Sequence, residues 1–375
     1  MLILVTSLIL LISKGAYCQN YSLVFEDNFD ILDFNNWVHE VTCWGGGNGE
    51  FQVYTDDTEN SYVKNGLLYI RPTLLENNIN PLTGQPFGVD FLYGGTLDLI
   101  AMYEQCTQKD NNGCLREGWF GITPPVASAR LRSKRRFNFQ FGKVEVVAKM
   151  PVGDWLWPAI WFLPEYLVYG GWPRSGEIDL VEARGNRDLL TTDMNSIGID
   201  HAGATLHWGP QWDDNKSWLT SGSQTNTQNN YGDFFHTYGM EWDTNGMRFT
   251  IDNSTLLQVP NPPIDQNPGW QGFWEYGRQN GGWWSTTTNP WASGTNMAPF
   301  DQHFHMILNV AVGGTNGYFP DGVIVNGGIH NKPWNNGDSD ADVRFYNAVN
   351  DWFPTWEGEN SAMQIDSIKV WQRTL

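Results

Sequence analysis

Three carboxylates stand within six residues, at Glu177, Asp179 and Glu182, separated by Ile178, Leu180 and Val181. The spacers are apolar and partly β-branched, and no turn residue interrupts them before Gly185-Asn186, so the stretch predicts a strand. Side chains alternate on a strand, which puts Glu177 and Asp179 on one face. Glu182 follows Glu177 at an odd offset and would fall on the opposite face, where burying a lone carboxylate is costly. One extra residue, a β-bulge at Leu180-Val181, would return it to the first face. Three acids on one face repel, so at least one pKa is expected to rise. Retaining glycoside hydrolysis needs that split: one carboxylate attacks the sugar, and a second, still protonated and about 5–5.5 Å away, donates to the leaving oxygen. A solvated acidic strand edge fits the same spacing.

Neighbouring segments predict what positions these acids. Residues 155–161 lead toward them and contain Trp155, Trp157 and Trp161. After them, residues 204–209 put Thr205 and His207 on one face, so a histidine could meet the carboxylates or a ligand, or be a polar core residue. Arg130 lies in a strand-like run at 128–132 and reads as a donor to a ligand or as half of a structural ion pair. In residues 48–54, alternation aligns Glu50, Gln52 and Tyr54, with Asn48 preceding them. Asn65-Gly66 between two apolar runs predicts a type I′ hairpin. Residues 235–252 predict a second hairpin, and residues 304–314 and 363–372 two further strands. Residues 72–126 break the pattern and read as a long rim loop. Residues 262–298 read as an aromatic loop, with Trp270, Trp274, Trp283, Trp284 and Trp291 as candidates for distal ligand contacts.

Forty glycines, nineteen prolines and little helical periodicity favour an all-β chain. Twenty tryptophans are many for this length; core packing would use them, and several stand beside Gly and Asn, as a sugar-stacking surface would require. A net charge of -19 argues against nucleic acid and anionic membranes, disfavours sulfated or uronic polymers, and suits a neutral one. Residues 1–18 read as a secretory signal: an apolar run from Leu2 to Ile12, too short to span a bilayer, precedes Ala16-Tyr17-Cys18. Residues 19–375 are then one extracellular, secreted domain. Cys106 and Cys114 flank a turn and form the simplest pair, which leaves Cys43 odd, although spacing does not fix connectivity. Asn20, Asn215 and Asn253 open glycosylation sequons.

Residues 177–182, Glu-Ile-Asp-Leu-Val-Glu, resemble the signature of glycoside hydrolase family 16 in its bulged, laminarinase-like form. The likeness extends from about Val24 to Gln372, interrupted by loops. It implies a concanavalin-like β-jelly-roll sandwich of two antiparallel sheets, with an open groove on the concave sheet, and a monomer. It also implies endo-hydrolysis of β-1,3-glucan with retention, and some transglycosylation. Glu177 would be the nucleophile, Glu182 the acid and then base, and Asp179 the residue that tunes Glu177. Trp157, Trp161 and Trp155 would wall the central subsites, with Asn48, Glu50, Arg130 and His207 as further sugar contacts. No cofactor is required for catalysis, but relatives carry a structural calcium, whose matching positions are Glu26, Gly66 and Asp366. Two alternatives remain. One is a non-catalytic β-1,3-glucan recognition protein of innate immunity; such relatives commonly lack one or both glutamates, and both are present here. The other is a hydrolase of a different polymer, such as agarose, carrageenan or mixed-linkage glucan.

Overall fold

A computed structural model of the protein describes residues 21–283 and 288–374. The expected signal at 1–18, Asn20 and Trp284 lie outside those residues. Two antiparallel sheets dominate. The eight-stranded sheet runs Ser254–Val259, Gly246–Ile251, His236–Asp243, Gly142–Lys149, Met363–Arg373, Leu67–Ile70 and Ser61–Lys64, with Tyr21–Asp27 also paired to Met363–Arg373. The seven-stranded sheet runs Ser221–Thr225, His201–His207, Glu177–Ala183, Leu156–Pro164, Phe304–Val312, Arg130–Arg132 and Val38–His39. Their inner faces share one apolar core, the packing expected of a jelly-roll sandwich. Gly142–Lys149 shows why: Val144, Val146 and Ala148 are buried, and the residues between them are not.

The acidic stretch is a strand at the middle of the seven-stranded sheet, and it carries the expected bulge. Against His201–His207, Asp179 pairs with Thr205 and Glu182 with Gly203, so Leu180 and Val181 oppose Ala204 alone. Against Leu156–Pro164, Trp161 pairs with Asp179 and Ile160 with Val181, which skips Leu180. Leu180 and Val181 are both buried in the core shared by the two sheets. Two consecutive apolar side chains thus turn inward, and the next residue, Glu182, comes back to the outer face.

Both predicted hairpins form. Asn65 and Gly66 take φ values of 54° and 74°, the left-handed pair a type I′ turn demands. His236–Asp243 pairs with Gly246–Ile251 in the other. Residues 72–126 are more than a rim loop. They fold into short strands and the helices Val89–Gly94 and Leu99–Tyr103 around a second apolar cluster that includes Leu92, Leu97, Leu99 and Met102. Cys106–Cys114 closes that insertion with a disulfide, and Cys43 is a buried free thiol in the same cluster. Burial pushes the Cys43 thiol up to about 11, so it stays protonated and inert.

The aromatic loop at 262–298 also departs from expectation. It contains the helix Gly272–Asn280, and Trp283 and Trp291 pack inward against Trp208. Trp270 and Trp291 are buried, and Trp274 and Trp283 stack 4.8 Å apart. Trp208 lies at the centre of this packing. Its fully buried indole needs apolar cover, and these rings supply it.

The bulge predicts its own test. Leu180→Ala should cost about 2–5 kcal/mol in denaturant melts, the usual range for a buried leucine. Deleting Leu180 should do more, because a straightened strand would turn the Glu182 carboxylate inward; no cooperatively folded protein is expected by near-UV circular dichroism.

Candidate active site

The outer face of the seven-stranded sheet floors a groove of about 350 Å³ lined by Glu177, Asp179 and Glu182 together. Alternation along each neighbouring strand supplies the rest. Leu156–Pro164 directs Trp157, Ala159 and Trp161 into the groove, Phe304–Val312 directs Asn309 and Ala311, and Arg130 and His207 enter from their own strands. Asn48 and Gly46 close one end from the loop before Phe51, joined by Glu50.

Each carboxylate is held differently. Glu182 Oε1 accepts from Trp157 Nε1 at 2.9 Å. Glu177 Oε2 accepts from Trp172 Nε1 at 3.1 Å, and its Oε1 lies 3.7 Å from His207 Nε2. Asp179 is the most enclosed, with a side chain 4% exposed; its Oδ2 is 3.3 Å from His207 Nε2 but has no hydrogen-bond partner. Burial, and then the Asp179 charge, push Glu177 up to about 8, against partial relief from His207 and Arg130. Burial, and then the Glu182 charge, hold Asp179 well above the usual carboxylate range. The pair therefore keeps a proton at neutral pH. Asp179, with less access to water and fewer donors, is the better host for it. A neutral Asp179 removes the second of the two causes that raise Glu177, while burial, the larger one, remains.

Several expected contacts need revision. Trp155 is not a groove wall. It precedes the strand with a φ of 68°, which breaks the alternation with Trp157, and its ring is buried against Phe319 and Trp334. Trp157 lines the groove, but its ring stacks on Tyr318 at 3.9 Å and only 7% of the residue is exposed. It orients Glu182 as much as it offers a surface. Trp161 has the Arg130 guanidinium 4.7 Å from its centroid, and its N–H goes to Asn309 Oδ1 at 2.7 Å. Arg130 itself is buried and paired with Glu40 at 3.2 Å, the structural of its two readings, although it also lines the groove. Glu50 accepts from Asn48 at 2.9 Å and Gln52 at 2.7 Å, which fixes the groove end.

Trp172, Asn309, Asn316 and Tyr318 also line the groove and were missed. Trp172 is 46% exposed and presents the open indole that Trp157 and Trp161 do not. It lies in an irregular segment before the acidic strand, where no periodicity marks direction. Asn309 had a signal: it is the one polar residue after His305 in an apolar strand, and alternation pairs it with Ala311.

Two metal questions arise. Ligating atoms of Glu177, Asp179 and His207 lie within 4.8 Å of one another. However, His207 Nδ1 faces the Asn215 amide nitrogen at 2.7 Å, so the lone pair a cation would need on Nε2 is replaced by a proton. Those residues do not fit an ion. The calcium positions differ. Met363–Arg373 pairs Ile365 with Leu68 and then Ile368 with Asp27, and exposed Asp366 stands at the changeover beside the Asn65-Gly66 turn. The Glu26 carboxylate is paired with Lys369 at 3.2 Å, so Glu26 could offer its carbonyl only. One free carboxylate with main-chain oxygens is a donor set that fits calcium.

Comparison with known proteins places this geometry among others. The model of the glycosyl hydrolases family 16 matches residues 103–271, which include the acidic strand. A protein from Penaeus monodon named beta-1,3-glucan-binding protein is 44% identical over 93% of this chain and 90% of its own length. Beta-1,3-glucan-binding protein 1 of Manduca sexta is 31% identical over 95% of this chain, which spans 66% of that protein's length. Among solved structures, a laminarinase from Rhodothermus marinus superposes with a TM-score of 0.56 at 22% identity, covering 95% of this chain and 99% of that one, a likeness of fold.

The raised Glu177 carboxyl makes stability pH-dependent. Its folded value of about 8 exceeds the ordinary 4.5, so it stabilises fully below about 4.5 and loses that contribution as pH rises toward 8. Glu177→Gln removes the titration. The melting temperature of the variant should exceed that of the parent by a margin that grows from pH 4 to pH 8; a constant margin would contradict the assignment.

Proposed function

The chain belongs to glycoside hydrolase family 16, and on that premise we propose that it is a retaining endo-hydrolase of β-1,3-glucan. The observation that carries the reading is the pair Glu177 and Glu182 on one groove face, each with one oxygen held by an indole N–H. Glu177 as a carboxylate attacks the anomeric carbon. The bond from that carbon to the bridging oxygen breaks, and Glu182 gives its proton to the leaving oxygen. Glu182 then takes a proton from water, whose oxygen displaces Glu177 with net retention. A sugar hydroxyl in place of water gives transglycosylation. Asp179, neutral beside Glu177, adds no like charge to it. Trp172 offers the open ring for stacking against a pyranose face.

The polymer is read from two supports. Relatives across most of this chain are named for β-1,3-glucan, and a net charge of -19 disfavours anionic polysaccharides. Because the Penaeus monodon relative is named for binding, the second reading is recognition of the same glucan without cleavage. Action outside the cell is part of the proposal. Among the described residues, no helix is long and apolar enough to cross a membrane.

Hydrolysis and binding separate in one experiment. Wild type should release reducing ends from laminarin, more than from lichenan or agarose, with the β-anomer formed first by NMR. Glu177→Gln and Glu182→Gln should each lower kcat by about 10³-fold or more while retaining binding to insoluble β-1,3-glucan. Binding without release by the wild type would establish the recognition reading instead. The calcium proposal has its own test: millimolar calcium should raise the melting temperature, chelation should reverse it, kcat should not change, and Asp366→Ala should abolish the shift.

A further inference from the structure

We propose that Asn215 is a positioning residue that fixes the tautomer of His207, so that the ring turns an N–H, and not a lone pair, toward the acid pair. The inference rests on the catalytic reading of Glu177 and Asp179 for its consequence, but not for its geometry. Asn215 Nδ2 lies 2.7 Å from His207 Nδ1. An amide can be turned over, and then its oxygen would face the ring instead. Here the turn is blocked, because Asn215 Oδ1 already accepts from the backbone N–H of Trp208 at 3.3 Å and of Ser217 at 3.1 Å. Turned over, the NH2 group would face two N–H donors. Nδ2 must therefore point at the imidazole, and Nδ1 must accept.

An accepting Nδ1 leaves the single imidazole proton on Nε2. That N–H faces Asp179 Oδ2 at 3.3 Å and Glu177 Oε1 at 3.7 Å, lying between the two rather than committed to either. Picking up a proton from the acid pair would make His207 an imidazolium with a second N–H at Nδ1, pressed against the Asn215 donor. The ring therefore presents the acid pair with an N–H dipole, 3.7 Å from Glu177 Oε1, and not with a lone pair.

The loop that carries Asn215 is built to hold it. Lys216 N donates to Trp208 O at 2.8 Å, and buried Lys216 pairs with buried Asp214. Trp172 tilts over the His207 ring at 5.7 Å from the other side. The titratable and charged groups around the imidazole are thus Glu177 and Asp179 on the neighbouring strand, and the Asp214–Lys216 pair flanking Asn215. The same Nδ2 is the atom a glycan would take on the Asn215-Lys216-Ser217 sequon, whereas Asn253 is exposed in a hairpin turn and free for one.

The test is a histidine 15N spectrum, which separates the two neutral tautomers and the imidazolium directly. With 15N-histidine in the full chain at neutral pH, His207, assigned by loss of its signal in His207→Gln, should show a protonated Nε2 and a bare Nδ1. A protonated Nδ1 in the wild type overturns the proposal. Asn215→Asp replaces the donor with an acceptor of the same shape and should place a proton on Nδ1; an unchanged spectrum also overturns it. The same variant should lower kcat on laminarin by about tenfold, with KM within about twofold, because the N–H that faces Glu177 is lost. If the wild type cleaves no glucan, the spectrum still decides the tautomer, so failure of the catalytic reading and failure of this one remain separate.

Discussion

A single inserted residue decides what this molecule can do. A regular strand would send Glu177 and Glu182 to opposite faces. At the Leu180–Val181 bulge two apolar residues enter the core consecutively and the register of both neighbouring strands shifts. Core burial of Leu180 and Val181 holds the kink in place, and the kink delivers Glu182 to the groove. Packing energy and active-site geometry are therefore the same interaction seen from two sides of one strand.

Bringing three acids together has an electrostatic cost, and the surroundings are arranged to limit it. Two indole N–H groups, from Trp157 and Trp172, each hold one glutamate. The third acid, Asp179, is buried, and burial with the Glu182 charge holds its carboxyl well above the usual range, which favours its neutral form. His207 adds a donor without adding a charge, for as long as Asn215 occupies its other nitrogen. Fixed dipoles replace water around the charge the chemistry needs, and the donors already point that way before any sugar arrives.

Aromatic residues divide between two duties that composition does not distinguish. Trp155, Trp208, Trp270 and Trp291 fill the interior, and Trp172 stands open in the groove. Trp157 does some of both: its ring is covered by Tyr318 and its N–H reaches a carboxylate. The insertion at 72–126 likewise uses its apolar residues for a small core of its own, tied by the Cys106–Cys114 disulfide.

How much of this was legible depended on whether a local rule applied. Alternation on regular strands put Glu177 with Asp179 and Thr205 with His207, a hydrophobic pair inside an acidic strand revealed the bulge, and the family resemblance pointed to Trp157, Trp161 and Arg130, all of which but Thr205 line the groove. Turn chemistry gave the Asn65-Gly66 hairpin, and the short loop between Cys106 and Cys114 gave the disulfide. Outside regular strands those rules lapse. Trp155 turned inward because its backbone leaves the strand at a positive φ, and Trp172 reached the acids from a segment without periodicity. Which face of a ring is covered, which acid keeps the proton, and which way the Asn215 amide points depend on atoms brought from distant parts of the chain. Sequence determined the strand, its kink and the acids upon it, because each is set by neighbours a few residues away. Only the tertiary structure decided their protonation and their partners, because burial and donors come from segments that meet nowhere but in the folded protein.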